Sequence, residues 1–258
     1  MSLSSFEKRT RISVSAERQW QWHVAPGALS RLNPPWQPVR IEDPGEGVAE
    51  GSRVVLRVKT GPIWQRWVAE HRGLEVGRRF QDVQVEGPFG AWEHTHLFLP
   101  EGEAASTLED AIRYAPPLGP IGRALGGGFF RSTLERLFTW RHATTKGDLE
   151  THARSGPKQP MRVLITGSTG LVGSALTAFL TTGGHEVVRL SRGERRDGAP
   201  TWSPDRGTIH LEDAGKIDAV VHLAGENIAA RRWDDAQKAR IKESRAKGTR
   251  LLAEALAA

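Results

Sequence analysis

Residues 162–180 read Arg162-Val-Leu-Ile-Thr166-Gly167-Ser168-Thr169-Gly170-Leu171-Val172-Gly173-Ser174-Ala-Leu-Thr-Ala-Phe-Leu180. A short apolar run, a turn with glycine at every third position and a second apolar run predict strand, glycine turn and helix in immediate succession. Such a junction offers free backbone N–H groups and the positive end of a helix dipole to an anion, and side chains in the turn would block the approach. Gly167 lets the chain turn sharply, Gly170 lets the backbone come close to a pyrophosphate, and Gly173 lets the helix pack on the strand. The spacing is Gly-x-x-Gly-x-x-Gly, not the Gly-x-Gly-x-x-Gly of the usual dinucleotide fingerprint. The context fits nonetheless, because Gly183-Gly-His-Glu186 leads into a second strand, Val187-Val-Arg-Leu-Ser191.

The end of that second strand bears on the choice of dinucleotide. An acid there binds a ribose 2′-hydroxyl and repels a 2′-phosphate, which needs a cation instead. The strand ends Leu190-Ser191-Arg192 without an acid. Arg192 is thus the natural phosphate partner and Ser191 a hydrogen-bond donor, and NADP is expected in preference to NAD.

Further along, Val220-Val-His-Leu-Ala224-Gly225 is a strand running into small residues, and a long helix follows from Trp233, including Gly248-Thr-Arg-Leu-Leu-Ala-Glu-Ala255. With Thr166-Gly-Ser-Thr-Gly-Leu-Val-Gly173, these segments resemble the extended short-chain dehydrogenase/reductase (SDR) superfamily in its epimerase branch. Thr201-Trp-Ser-Pro204, Ala224-Gly-Glu-Asn-Ile228 and the stretch from Arg231 to Arg245 are similar to bacterial epimerase-like proteins sometimes labelled cell-division inhibitors. The resemblance covers 161–258. It implies a Rossmann-type α/β domain in which Ser168, Thr169, Leu171 and Val172 join the three glycines at the dinucleotide, while Ala224 and Gly225 run beside its adenosine and ribose. Arg240, Ser244 and Arg245 match the family helix and are expected to form a solvated or packing face.

SDR chemistry is carried by a Tyr-x-x-x-Lys pair, in which the Lys and the cofactor lower the Tyr pKa toward neutrality. The only Tyr here is Tyr114, followed by Ala-Pro-Pro-Leu. The expectation is a chain ending before the catalytic half. No catalytic residue is assigned, and the parent is read as an NAD(P)-dependent epimerase or oxidoreductase that this chain alone does not complete. The alternative is a non-catalytic protein that senses a lipid-like ligand and the redox state.

The earlier residues follow another pattern. Phe6, Thr10, Ile12 and Val14 share one strand face, with Lys8 as the exception, and Ser15 caps a helix that carries Glu17 in its first turn and ends before Pro26. Strand patterns at 53–60, 63–72, 79–87, 89–99 and 104–114 are joined by turns short enough for an antiparallel meander. Phe130, Leu134, Leu137 and Phe138 form the stripe of an amphipathic helix over 129–142, with Gly126-Gly-Gly128 read as a bend before it. This order, with Trp92-Glu-His-Thr-His-Leu-Phe98 and Tyr114-Ala-Pro-Pro-Leu-Gly-Pro120, resembles the helix-grip fold of the START-like (SRPBCC) superfamily over about residues 4–150. The resemblance implies a helix lying across a curved sheet and enclosing an apolar cavity for a small hydrophobic ligand.

Trp92, His94, His96 and Phe98 project to one face of their strand, because successive side chains alternate. They are read as the wall of that cavity, with a plain packed sheet face and half of a metal site as the alternatives. No metal is assigned, since the sequence offers no obvious third ligand to the His-x-His pair. Asp110 is read as a paired structural carboxylate.

Residues 146–160 lose apolar periodicity and end in turn formers. The resulting division is a first domain at 1–150, a linker at 151–160 and a second domain at 161–258. The fold class is an α+β helix-grip (SRPBCC) domain followed by a partial α/β Rossmann-type (SDR) domain. A length of 258 residues suits two domains, and the absence of Cys excludes disulfides, thiolate nucleophiles and Cys-ligated metal. The net charge of +6 divides into +3 on residues 1–160 and +3 on 161–258, so no basic arm marks a nucleic-acid interface. The densest basic cluster, Arg192-Gly-Glu-Arg195-Arg196, contains an acid. No apolar stretch approaches the ~18 residues of a membrane span, and the N-terminus lacks a signal-peptide core, so a cytoplasmic location is expected.

Overall fold

Alternation of apolar and polar residues over the first 115 positions becomes a seven-stranded antiparallel sheet. The computed structural model describes residues 3–116, 119–155, 159–194 and 198–257, with the backbone alone at 119–126 and 155. It divides into two units, Met1–Gly156 and Pro157–Ala258. Pro117 and Leu118 of the Tyr114–Pro120 motif, Arg195 and Arg196 of the basic cluster, and residues 156–158 of the expected linker lie outside the described residues.

The first unit begins with β1 (Ser4–Ile12), α1 (Ala16–Val24) and a short α2 (Ala28–Arg31). Ser15 is extended at φ −63° and ψ 155°, and its side chain accepts from the Arg18 backbone N–H, as the cap reading requires. Six strands follow: β2 (Val39–Asp43), β3 (Arg53–Thr60), β4 (Ile63–Glu75), β5 (Arg79–Glu86), β6 (Ala91–Pro100) and β7 (Ser106–Ala115). They pair in the order β1-β7-β6-β5-β4-β3-β2, so the chain meanders back to β7 and closes against its own first strand. Gly61, at φ +60°, turns the two-residue loop between Thr60 and Ile63. Register shifts between β4 and β5 mark bulges, which bend the strands.

The helix α3 (Gly119–Ser155) is longer than its sequence pattern indicates. The glycines 126–128 lie inside it rather than bending the chain ahead of it, and residues 151–155, read as linker, continue its last turns. Leu134 and Phe138 from the expected stripe are buried, each burial being worth about 1.5–3 kcal/mol, while Phe130 and Leu137 sit at the edge of the same cluster. One apolar cluster contains Phe6, Trp92, Ile112, Tyr114, Leu134 and Phe138. A second contains Ile12, Trp20, Trp22, Phe80, Phe98, Leu108 and Leu149. Along β6 and β7 the residues between these two clusters are His94, His96 and Asp110.

The second unit contains β8 (Arg162–Thr166), α4 (Leu171–Thr182), β9 (Glu186–Arg192), β10 (Thr201–Ser203), β11 (Thr208–His210), β12 (Ala219–His222) and α5 (Asp235–Ala257). Its sheet order is β11-β10-β9-β8-β12, parallel except for the β10–β11 pair. Counted from β8, the parallel strands lie in the order 3-2-1-4 of a doubly wound half. Leu164, Leu190, Trp202 and Leu252 form its core. Gly248 lets α5 approach closely, since a Cβ there would lie 3.2 Å from His222 Nε2 and 3.3 Å from the Trp202 ring. No helix among the described residues is long and apolar enough to cross a membrane.

Candidate functional site

In the second unit the β8–α4 junction carries the geometry expected of the glycine turn. Gly167 has φ +67°, and a Cβ on it would lie 2.9 Å from Ala224 N, so the turn presses against the end of β12. A Cβ on Gly173 would overlap Gly167 O, which shows how tightly α4 seats on the turn. Gly170 is the N-cap of α4 and makes no side-chain cap. Its Cβ would meet only Gly167 O at 3.3 Å, so its outer side is open. Leu171 is 91% and Val172 62% exposed, which leaves the first helical turn accessible, while Ser168 is buried. The donors and the dipole of α4 therefore meet solvent in the way a pyrophosphate needs.

Thr166, read only as the first letter of the motif, proves to be its fastener. Its hydroxyl oxygen accepts from Leu223 N and Ala224 N, both at 3.1 Å, and its proton points to His222 Nδ1 at 2.6 Å. Burial, with the Arg245 charge, lowers the His222 pKa and keeps this acceptor neutral. A Thr closing a strand before a glycine turn was the available signal.

Arg192, Ala224 and Gly225 come together in a pocket of about 180 Å³ at the ends of the strands. Ser191, exposed, is held by its backbone N–H to Pro200 O at 3.2 Å. The loop at Ala224–Glu226 is pinned from α5: Glu226 N donates to Ser244 Oγ at 3.0 Å, and Arg245 donates to Glu226 O at 3.4 Å. Arg240 donates to Gln237 Oε1 at 2.6 Å. Asp205, Glu226 and Glu243 line the same pocket as Arg192, acids that inspection of the strand end alone did not count.

The first unit assembles a different kind of site. Trp92, His94 and His96 line a cavity of about 220 Å³ between the sheet and α3. Phe98 instead packs in the core, its ring 5.7 Å from Trp20 and 4.7 Å from His23. A second cavity, of about 350 Å³, lies toward α1 and α2, and His71, Asp82 and His96 line both.

Strand register explains this wall. Asp82 on β5 pairs with His71 on β4 and His94 on β6, while His96 pairs with Asp110 on β7. His94 Nε2 lies 2.9 Å and His96 Nδ1 2.7 Å from Asp110 Oδ1, and His142 Nε2 from α3 lies 2.8 Å from Asp110 Oδ2. Asp82 receives His71 Nε2 at 3.0 Å and His96 Nε2 at 3.2 Å. Asp110 is thus the paired carboxylate expected, and Asp82 is the third partner of the His-x-His pair that the sequence did not offer. It sits 12 positions before His94 and only the sheet brings it there.

Burial alone would raise both carboxyl pKa values. Hydrogen bonds from His71 and His96 override it for Asp82, and the His96 and His94 charges for Asp110, leaving both below the usual carboxylate range. Burial would lower His96, yet Asp110 and Asp82 lift it to about 9. Burial and the neighbouring His96 lower His94. His23, beside them, is lowered by burial to about 3. The cluster therefore holds fixed, opposed charges against an apolar wall that includes Trp67, Trp92 and Leu137.

A helix-grip domain with a cavity, followed by half of a doubly wound sheet with a glycine turn, defines the class of protein. Residues 12–139 match the family described as polyketide cyclase/dehydrase and lipid transport, and residues 163–258 match the NAD dependent epimerase/dehydratase family. The chain joins an SRPBCC domain to an epimerase/SDR-like domain.

Among relatives, an epimerase family protein of Mycobacterium bovis is 42% identical over 96 residues, which is 37% of this chain and 32% of the relative. The epimerase family protein SDR39U1 of Homo sapiens is 41% identical over 98 residues, again 37% of this chain and 32% of the relative. A crystal structure described as a nucleoside-diphosphate sugar epimerase from Corynebacterium glutamicum superposes with a TM-score of 0.74 at 33% identity, covering 96% of this chain and 51% of its own. The chain thus spans about a third of the curated relatives and about half of that structure.

Proposed function

We propose that this chain is part of an NADP-binding epimerase- or reductase-like SDR protein with a fused domain that holds a small hydrophobic ligand. The observation that carries the reading is the β8–α4 junction, where Gly167, Gly170 and Gly173 leave an uncapped helix N-terminus open to solvent. In this reading Gly167–Gly173 hold the pyrophosphate through backbone N–H groups, Ala224 and Gly225 admit the adenosine ribose, and Arg192 with Ser191 receives the 2′-phosphate. A bound nicotinamide supplies hydride transfer. Thr166 and Ser244 hold the loop against which the ribose would lie. In the first domain Trp67, Trp92 and Leu137 give the ligand its apolar contact, and Asp82 and His96, with Asp110 behind them, orient a polar group on it.

Calorimetric titration of the 258-residue chain with NADPH and NADH tests this. Binding of NADPH about tenfold tighter than NADH, with the difference removed in Arg192→Ala, is the expected result. Failure of both nucleotides to bind contradicts the assignment. Equal binding retains the dinucleotide and discards the preference, with the acids Asp205, Glu226 and Glu243 as the physical reason.

The second reading is a non-catalytic sensor of ligand and redox state. It is favoured by the position of the single Tyr, at 114, which leaves residues 161–258 without a phenol to act as acid or base. A Tyr-x-x-x-Lys pair beyond residue 258 in the parent protein favours the enzyme. Native mass spectrometry of the parent, with NADPH and any retained lipid-like molecule seen together and no turnover, favours the sensor.

A further inference from the structure

We propose that Asp82, His94 and His96 form a binding site for a divalent transition-metal ion, Zn2+ foremost, in the wall of the first domain's cavities. The three residues offer one ligand atom each, all within 4.8 Å of one another. His96 Nε2 lies 3.2 Å and His94 Nδ1 3.7 Å from Asp82 Oδ2. Donors ~2.0–2.2 Å from a tetrahedral Zn2+ are about 3.3–3.6 Å apart, so these two separations bracket that spacing, with the His94–His96 separation within 4.8 Å. Two imidazoles and one carboxylate, with a further position left open, form a donor set suited to Zn2+ and to other divalent ions of that row.

The groups behind the ligands carry the argument further. A metal-bound imidazole characteristically gives its other ring nitrogen to a carboxylate, which fixes the tautomer and the ring plane. His94 does so, its Nε2 bonded to Asp110 Oδ1 at 2.9 Å, and His96 Nδ1 lies 2.7 Å from the same oxygen. Asp110 is itself held by His142 Nε2 at 2.8 Å, and His142 Nδ1 is held by Thr10 Oγ1 at 2.8 Å. His71 steadies the other carboxylate, its Nε2 lying 3.0 Å from Asp82 Oδ1. Each supporting group thus sits on the far side of a ligand.

The two carboxylates beside the rings suit a cation. In the metal-free fold His96 hydrogen-bonds Asp82 through Nε2, and a metal ion takes that nitrogen in place of its proton. The two charges of a divalent ion balance Asp82 and Asp110 together. Asp82 and His96 line both cavities, so the open position faces the space where a ligand oxygen or a water completes the coordination. The alternative is that His96 keeps its proton and serves both carboxylates with no ion, and it predicts no metal affinity.

The test uses the chelator-treated 258-residue chain, dialysed against Zn2+ alone and counted by elemental mass spectrometry, and in parallel loaded with Co2+ for visible absorption. The expected result is one equivalent of Zn2+ per folded chain, weakened at least 100-fold in Asp82→Asn and in His94→Gln. Asp110→Asn is expected to weaken it by about 10–100-fold with the ligands intact. Should these variants fail the circular-dichroism check for folding, the wild-type Co2+ spectrum decides. Strong visible bands of a low-coordinate N/O site support the proposal, and the weak spectrum of the hydrated ion overturns it. No retained Zn2+, or retention unchanged in folded Asp82→Asn and His94→Gln, also overturns it.

Discussion

Gly173 and Asp110 each hold a candidate site together, in opposite ways. Gly173 works by having no side chain, letting α4 close onto the turn so that backbone groups form the site. Asp110 works through its carboxylate, which gathers His94, His96 and His142 from β6 and α3 into one buried cluster. A site made of backbone is broken by adding atoms, whereas one made of buried charges is broken by removing a partner. Backbone sites are also read from a few consecutive residues, while the side-chain site exists only after four strands have paired.

The largest effect is expected from Gly173→Val. Its Cβ has no room beside Gly167 O, so the helix must leave the turn. NADPH affinity in calorimetry should fall by about 100-fold or more, and retention of wild-type affinity would remove the backbone account of the site. Next comes Asp110→Asn, which leaves buried histidines without their shared carboxylate. The first domain should lose about 3–5 kcal/mol in urea unfolding followed by Trp fluorescence, with NADPH binding unchanged. A loss of NADPH binding in that variant would show that the two sites are not separable.

A smaller effect follows from pH in the metal-free protein. His23 is held neutral in the fold, at about 3 against 6.5 when unfolded, so the unfolded chain binds the extra proton. Its contribution is present above pH 6.5 and is lost as pH falls from there toward 3. His96, at about 9, has the opposite sign: its contribution is complete below pH 6.5 and is lost as pH rises toward 9. His23 faces His96, Asp110 and His142. Thermal melts of the first domain should therefore peak between slightly acid and neutral pH. A Tm that rises steadily from pH 4 to pH 9 would refute these assignments. The smallest effect is Arg206→Ala, whose exposed pair with Glu194 should change stability by under about 0.5 kcal/mol, and it serves as the baseline for the other variants.

The same contrast governs how much was legible in the sequence. Strand, glycine turn and helix were readable at 162–180 because each glycine's task is local, and the order Leu190-Ser191-Arg192 located the strand end. In the first domain, alternation located β3 to β7 to within a few residues and placed Trp92, His94 and His96 on a common face. Register was not readable, so Asp82 and His71 remained ordinary strand residues until β4, β5 and β6 lay side by side. Phe98 shows the converse: it shares a face with His96, but α1 brings Trp20 over it and the cavity stops short. α3 outran its pattern because tertiary packing, down to Leu149, holds a helix through Gly147 and the residues read as linker. β2, β10 and β11 are too short, at five, three and three residues, to carry a periodic signal.

The central claim is that the dinucleotide is held by the backbone of the second domain, independently of the first domain's cluster. Amide hydrogen exchange of the 258-residue chain, with and without saturating NADPH, measures the very groups involved. Protection confined to residues 167–173, the end of β9 and the loop at 223–226, with β4–β7 unchanged, is the predicted result. Exchange unchanged at 167–173 when NADPH is bound would contradict it.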